Sequence, residues 1–568
     1  MLENWILGFQ AIMSPMPLLM MVVGVLAGIV IGALPGLTAV MGVAVLMPFT
    51  FSMDPLTGIM MMCGIYTSTI YAGSIPSILM KVPGTPSSAA AILDGYPMAQ
   101  QGKGGQALNI SLWSSFIGSL AGGILLAFTA PMLAAIAVKV GQAEFFMLAV
   151  FALTVIASLS EGALIKGLLS GALGLFIATV GMDALTGSAR FTFGIPDLRA
   201  GLDFIPILIG LFGVSEAIAQ FERHFIYKGG EKHKVGDFTI PKNIFKRLIP
   251  RWLYGTVIGF LIGVLPGTGG EVGSFVSYNE NRRLSRHKET WGKGEPEGLA
   301  SAEVAHNSAV PGTLAPTITL GIPGNSVAAI MIGVLTVQGL HPGPQLFEGE
   351  PQLVYGILWG FILVPFVVFI IGKLGIRAWG QILRIPARLL WPIILGICCI
   401  GAFSIRSSVF DMVVMLVAGI VGYLFNRVKI PTTPMVIGLL VGPLAEDGFR
   451  RATMLEGGSF EWIFHPAPLI MLILSILSLA ASMLRSYRLH KERQTQKMKR
   501  HLVSAEEKSQ RQEKGKPRQQ EKSVRKNREQ ENFAQESKDV SSSEPPVLPD
   551  RDAFGLESVS VGDDDTHW

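Results

Sequence analysis

Cysteine is nearly absent from this sequence. Three occur in 568 residues, Cys63, Cys398 and Cys399. They form no CxxC pair, no zinc spacing and no disulfide framework, and Ile397-Cys398-Cys399-Ile400 reads as a run of apolar side chains. Charge is scarce as well. Asp, Glu, Lys and Arg make up 15% of the chain, against about 25% in soluble domains. That argues against a soluble enzyme, and a hydrophobic fraction of 50% argues against a disordered or fibrous chain. No Gly-Lys-Ser/Thr closes a phosphate loop, so no ATP site of the Walker type is visible. Glu3 is the only early charge and no basic n-region precedes the first apolar run, which therefore reads as structure and not as a cleaved signal peptide.

The charge that is present is concentrated at one end. The segment from Arg485 to Trp568 holds 18 Lys and Arg and 16 Asp and Glu. The part before it is therefore more apolar than the mean hydropathy of +0.47 suggests. No formal charge lies between Glu3 and Asp54, or between Lys103 and Lys139. A bilayer span needs about 20 apolar residues. Further apolar stretches fall near 56–80, 144–182, 202–220, 252–276, 304–337, 352–375, 388–402, 409–425, 432–445 and 464–484. The pattern predicts an all-α polytopic membrane protein with about 10–12 membrane segments, some too short to span. A soluble helical bundle would show polar faces at helical spacing, and none is seen.

Three basic stretches orient the chain: 222–251, 282–293 and the start of the tail at Arg485. All should face the cytoplasm. The apolar segment 252–276 lies between two of them and is too short for two full spans, so a re-entrant hairpin or two half-helices is expected there. Arg450 and Arg451 fit this scheme less well.

The sequence repeats. Gly24, Gly28 and Gly32, followed by Ala33-Leu34-Pro35-Gly36, recur as Gly255, Gly259 and Gly263, followed by Val264-Leu265-Pro266-Gly267, at an offset of 231. Pro76 to Pro83-Gly84 recurs as Pro316 to Pro323-Gly324 at an offset of 240. The nine extra residues should fall in the basic loop near 282–293. Two homologous membrane repeats follow, 1–221 and 252–484, joined by a basic cytoplasmic linker at 222–251 and trailed by a disordered charged cytoplasmic tail at 485–568. Only the second copy of the hairpin is flanked by basic loops, so the repeats should be inverted, with the site between them.

Each half carries two breaks inside apolar sequence. Proline interrupts the helical ladder, glycine permits the turn and close ligand approach, and small polar residues follow. A helix restarting there aims free N–H groups at the break and favours an anion. The substrate-binding candidates are therefore Pro35, Gly36 and Thr38; Pro83, Gly84 and Thr85; Pro266, Gly267, Thr268, Gly269 and Gly270; and Pro323, Gly324, Asn325 and Ser326. The Gly-x3-Gly-x3-Gly rows themselves read as helix-packing faces. Ionisable residues inside apolar stretches are costly, which makes Glu271, Glu303, His306 and Asn307 the ion-coupling candidates. The tail mixes charge signs and has few aromatics; its basic start suits membrane lipid headgroups, and nucleic acid is not an expected partner.

At these blocks the sequence resembles the large permease subunit of the tripartite tricarboxylate transporters, the TctA type. The resemblance rests on Gly32 to Gly36, Tyr71 to Pro86, Asp94-Gly-Tyr-Pro97, Arg190 to Gly194, Gly210 to Glu216, Leu265 to Gly270, Gly321 to Gly324 and Arg406 to Asp411. It implies a secondary transporter of the bacterial inner membrane, driven by a sodium or proton gradient and without other cofactor. A periplasmic solute-binding protein would deliver a carboxylate such as citrate, and a small membrane subunit would accompany the permease. Two other classes compete. An intramembrane enzyme would need a catalytic pair, and Glu303/His306 lacks a nucleophile beside it. A channel could share the paired breaks.

Overall fold

The computed structural model describes residues 2–34, 36–139, 141–159, 164–183, 186–223, 236–267, 269–377, 387–480, 483–484 and 523–533. The first half runs through α1 (Leu2–Ile12), α2 (Pro15–Ala33), α3 (Ala39–Leu46), α4 (Pro55–Ala72), α5 (Ser74–Met80), α6 (Ile92–Gln100), α7 (Gly104–Ala137), α8 (Gln142–Leu159) and α9 (Leu164–Ala178). It closes with α10 (Phe204–Leu208), a π-helical turn (Ile209–Val214) and α11 (Ser215–Arg223). The second half runs through α12 (Lys242–Val264), α13 (Gly269–Leu284), α14 (Pro296–Leu320), α15 (Ser326–Val337), α16 (Pro344–Gly349), α17 (Pro351–Gly375), α18 (Ala387–Arg406), α19 (Val409–Arg427) and α20 (Thr433–Leu455). Pro466–Ala480 forms a further short apolar helix. Among the described residues the sheet content is one antiparallel pair, Gly181–Met182 with Ala189–Arg190.

Four described helices are long and apolar enough to cross a membrane: α2, α7, α17 and α19. Seven shorter apolar helices accompany them. The protein is an all-α polytopic membrane protein. Its two central helices are not among the four. Every residue of α4 from Leu56 to Ala72 is buried, and so is every residue of α14 from Glu297 to Thr319. Protein surrounds these helices, so they carry Thr67, Ser68 and Thr69, or Glu303 and His306, that lipid would not accept.

Glycine sets how closely the helices pack. On α2, Gly24, Gly28 and Gly32 lie against the backbone carbonyls of Met61, Ile65 and Thr69 of α4. On α12, Gly255, Gly259 and Gly263 lie against those of Ser301, Ala305 and Ala309 of α14. The glycines follow the first sequence offset, 231, and their carbonyl partners follow the second, 240, so the packing register repeats with the sequence. A Cβ at any of these glycines would overlap or crowd its neighbour. Hydroxyls add bonds across the same seams: Thr69 Oγ1 donates to the Gly28 carbonyl at 3.1 Å, and Ser308 Oγ to the Thr256 carbonyl at 3.0 Å.

The halves interlock. Gly356 and Gly360 of α17 meet Leu56 and Met60 of α4, so these two helices run parallel. Ser111 and Ser115 of α7 meet Glu303 and Asn307 of α14, again parallel. Gly372 of α17 packs on Leu112 of α7, and Gly123 of α7 on Phe361 of α17, so the two pairs oppose each other. Further out, α9 packs on α20, and α19 packs on the π-helical turn.

The basic stretch 222–251 is helical from Lys242, where α12 begins. The extra residues of the second copy lie in α13, which has 16 residues to the 8 of α3, and in the loop after it. Arg450 pairs with Asp183 and Glu446 at 2.7 Å each, and Arg451 with Asp447 at 2.9 Å. These arginines are thus tied into ion pairs at one end of α20. In a separate unit, Arg488–Trp568, residues 523–533 form a helix with exposed side chains; the rest of the tail from Arg488 lies outside the described residues.

Gly259→Val should leave little folded protein after detergent extraction, read by size-exclusion chromatography. Gly396→Ala, where a Cβ finds open space, should elute like the parent. Equal recovery of the two would contradict the packing register.

Candidate functional site

The breaks between helices are held by backbone geometry first. After α2 the chain turns at Gly36, whose φ of +92° a side chain rarely adopts, and after α12 it turns at Gly267 with φ +80°. The Gly267 N–H donates to the Gly324 carbonyl at 2.7 Å, joining the two breaks of the second half. In the first half Gly84 is buried against the Gly32 carbonyl and donates its N–H to the Gly73 carbonyl at 3.1 Å. Gly324, its repeat counterpart, packs on Thr313 and donates to Thr317 Oγ1 at 3.2 Å.

Polar side chains restart the helices. Thr38 caps α3 by accepting from the Met41 N–H at 3.2 Å. Asn325 caps α15, its Oδ1 accepting from the Ala328 N–H at 2.9 Å. Thr85 and Ser88 form a capping box over the 3₁₀ turn Pro86–Ala91. Ser326 bonds Thr433 through their hydroxyls at 2.8 Å. Pro83 is exposed, Pro266 half-buried and Pro323 buried. Gly269 opens α13 at φ +54°, and Gly270 packs on His306. Pro35 and Thr268 lie outside the described residues.

Two contacts carry the breaks of one half to the central helix of the other. Asn325 Nδ2 donates to the Tyr66 hydroxyl at 2.7 Å, and His306 Nδ1 faces the Ser87 carbonyl at 3.1 Å. Tyr66 and His306 are related by the second sequence offset, so each occupies the same repeat position and reaches the break of the other half. Thr85 Oγ1 and Ser87 Oγ lie 3.1 Å apart. A connected path thus runs from Thr85 through Ser87 and His306 to Gly270.

Beneath it lies the one carboxylate of α14 that is completely buried, Glu303. Ser74 donates to its Oε1 at 2.6 Å and Ser111 to its Oε2 at 2.8 Å. His306 Nε2 stands 3.5 Å from Oε2, within ion-pair range but without a hydrogen bond. Asn307 donates to Ser115 Oγ and to the Glu303 carbonyl, each at 2.9 Å. His306 must carry a proton on Nδ1 to donate to the Ser87 carbonyl. Nε2 then faces the Glu303 carboxyl without bonding to it, and the two titratable side chains lie buried side by side. Glu271 is set differently: it is exposed in the first turn of α13.

A groove of about 640 Å³ lies elsewhere, lined by residues that include Asp54, Gln338 and Glu350 near the starts of α4 and α17. None of the breaks lines it, so the paired breaks, and not this groove, define the candidate site.

The family model described as the tripartite tricarboxylate transporter TctA family matches residues 18–437. The chain belongs to that family. The match includes all four breaks and Glu303. TctA membership makes the chain a component of a tripartite tricarboxylate transport system, one that also uses a binding protein and a small membrane subunit. Two proteins of Agrobacterium vitis are similar. One, an uncharacterized 52.8 kDa protein in the TAR-I ttuC' 3' region, is 37% identical over 489 residues, covering 86% of this chain and 97% of its own length. The other, in the TAR-II ttuC' 3' region, is 35% identical over 231 residues, covering 40% of this chain and 96% of its own. No solved structure matches the chain.

Sequence reasoning missed Tyr66, Ser74, Ser111 and Ser115, while Ser87 lies among the small polar residues that follow the Pro83-Gly84 break. Extending the second offset upstream of Pro76 pairs Tyr66 with His306 and would have found the first. Ser74, Ser111 and Ser115 have no local signal, because each acts on a helix distant in sequence.

Replacing Tyr66 by Phe should keep the cap of α15 and lose the bond from Asn325, lowering thermal stability by about 0.6 kcal/mol, a usual value for one interhelical hydrogen bond in a membrane protein. Asn325→Ser, which keeps a capping oxygen, should then cost less on the Tyr66→Phe background than on the parent. Fully additive losses in detergent melting curves would show that the two residues do not interact.

Proposed function

We propose that the protein is an ion-gradient-driven permease of the bacterial inner membrane. It imports a tricarboxylate or related carboxylate handed over by a periplasmic binding protein, with a small membrane subunit as partner. The observation that carries this reading is the reciprocal contact across the halves, Tyr66 to Asn325 and His306 to Ser87, beside the buried Glu303. It brings three of the four breaks to one place. The first turns of α13 and α15 start there, and the N–H groups of a restarted helix favour a carboxylate without any arginine. The opposed directions of the α4/α17 and α7/α14 pairs support an inverted repeat, the architecture in which such a site serves alternating access.

Glu303 and His306 supply the coupling element. A buried carboxyl with an imidazole 3.5 Å away suits a proton as the coupling ion, and a proton gradient as the driving force. Ser74 and Ser111 reach Glu303 from the first half, so a change in its protonation alters bonds between the halves. The basic residues at the start of α12 and in the stretch 282–293 support a cytoplasmic position for that end of the molecule.

Membrane vesicles holding the permease, the small subunit and the cognate binding protein should accumulate labelled citrate or another di- or tricarboxylate saturably, and a protonophore should collapse the accumulation. Flux that only follows the substrate gradient and never saturates would favour a channel and overturn this reading. Glu303→Gln should abolish accumulation driven by a pH gradient while leaving substrate exchange. Accumulation equal to that of the parent would remove Glu303 from the coupling role.

A further inference from the structure

The two halves differ where their first side chains meet the break. α5 ends at Lys81, in the left-handed conformation at φ 60°, ψ 25°; α14 ends at Gly321, at φ 70°, ψ 14°. The two positions are related by the second sequence offset, and their surroundings match. Val82 N–H donates to the Pro76 carbonyl at 3.4 Å, and Ile322 N–H to the Pro316 carbonyl at 3.4 Å. Glycine takes this backbone without strain, and lysine does not. A cationic side chain is thus held in a costly conformation at a position where the other half does without one.

Its setting is open. Lys81, Pro83 and Pro86 are exposed, whereas Gly321, Ile322, Pro323 and Gly324 are buried. The Lys81 ammonium lies 5.5 Å from the centroid of the Tyr96 ring, and no carboxylate pairs with it among the described residues. The break it borders leads into α6, which is tied to the basic loop: Asp94 accepts from the N–H groups of Gly292, Gly294 and Glu295, and Gln101 donates to the Lys293 carbonyl at 2.7 Å. Lys81 therefore opens toward the end of the molecule that bears the basic loops.

We propose that Lys81 binds a carboxylate group of the transported anion on the basic-loop face, the side where an imported substrate leaves. This rests on the transport reading above and adds a direction to it. An ammonium without a carboxylate partner, close in sequence to Gly84, offers a charge-assisted hydrogen bond to an anion passing the first-half break. The glycine at 321 offers none at the second-half break. The site then has unequal affinity on its two faces, although its backbone is repeated.

The test uses right-side-out and inside-out vesicles containing the complete transporter. A panel of labelled citrate, isocitrate, malate, succinate and tartrate is screened on the parent, and the anion carried best becomes the probe. Lys81→Gly and Lys81→Asn both suit the left-handed backbone and remove the charge. Each should raise the half-saturating concentration about tenfold or more on the basic-loop face, the size expected for one hydrogen bond to a charged group. The opposite face should shift by less than about twofold. Lys81→Arg should stay near the parent on both faces. No change in the two neutral variants, or an equal change on both faces, would overturn the assignment. So would a loss that appears only when the vesicles contain anionic phospholipid, since the ammonium would then hold a headgroup phosphate. If the parent carries no anion of the panel, the transport reading itself falls.

Discussion

A helix broken inside a bilayer leaves N–H and C=O groups that lipid cannot satisfy. Everything central in this protein follows from meeting that condition. Protein buries Gly84 and Gly324 and half-covers Gly36 and Gly267, and the packing beside them is dense because glycine lets helices touch carbonyl to Cα. Gly24, Gly28 and Gly32 bring α2 onto α4, and Gly255, Gly259 and Gly263 bring α12 onto α14. With those seams closed, α4 and α14 are removed from lipid along almost their whole length. Only then can Glu303, His306 and a row of hydroxyls be carried within the membrane.

The glycine rows and the Pro-Gly blocks were both legible in the sequence, and the two offsets reappear as packing offsets in the structure. Reading them separates helices that seal from helices that break. What composition could not reveal was which helices lie at the centre. α4 and most of α14 fall in the apolar stretches 56–80 and 304–337, but nothing in those stretches marks them as the helices that neighbours bury on all sides. Arg450 and Arg451 pair with Glu446 and Asp447 one turn back on the same helix, a spacing the sequence shows, whereas the contact of Arg450 with Asp183 appears only when distant segments meet. Glu271 and Glu303 looked alike as intramembrane acids, yet one is exposed and the other wholly buried. The distinction comes from tertiary packing: Ser74 and Ser111 approach Glu303 from helices far away in the chain.

A repeat makes differences informative. Where the halves agree, at the glycine seams, at the hydroxyls of Ser77 and Thr317 bonded four residues back, and at the helix ends near Val82 and Ile322, they build a shared scaffold. Where they disagree, chemistry has been added. Glu303 stands at the position of Cys63, His306 at that of Tyr66, and Lys81 at that of Gly321. The proposed transport reading rests on these differences, an acid in one half and a base at the rim of the other.

The central claim is that breaks from both halves form one binding site, and the scarcity of cysteine makes it directly testable. With Cys63, Cys398 and Cys399 replaced by serine or alanine, single cysteines at Thr85, Gly270 and Asn325 can be alkylated with and without the transported carboxylate. The account expects substrate to slow labelling at all three positions over the same concentration range. Protection confined to one half, or absent from all three while transport persists, would contradict it.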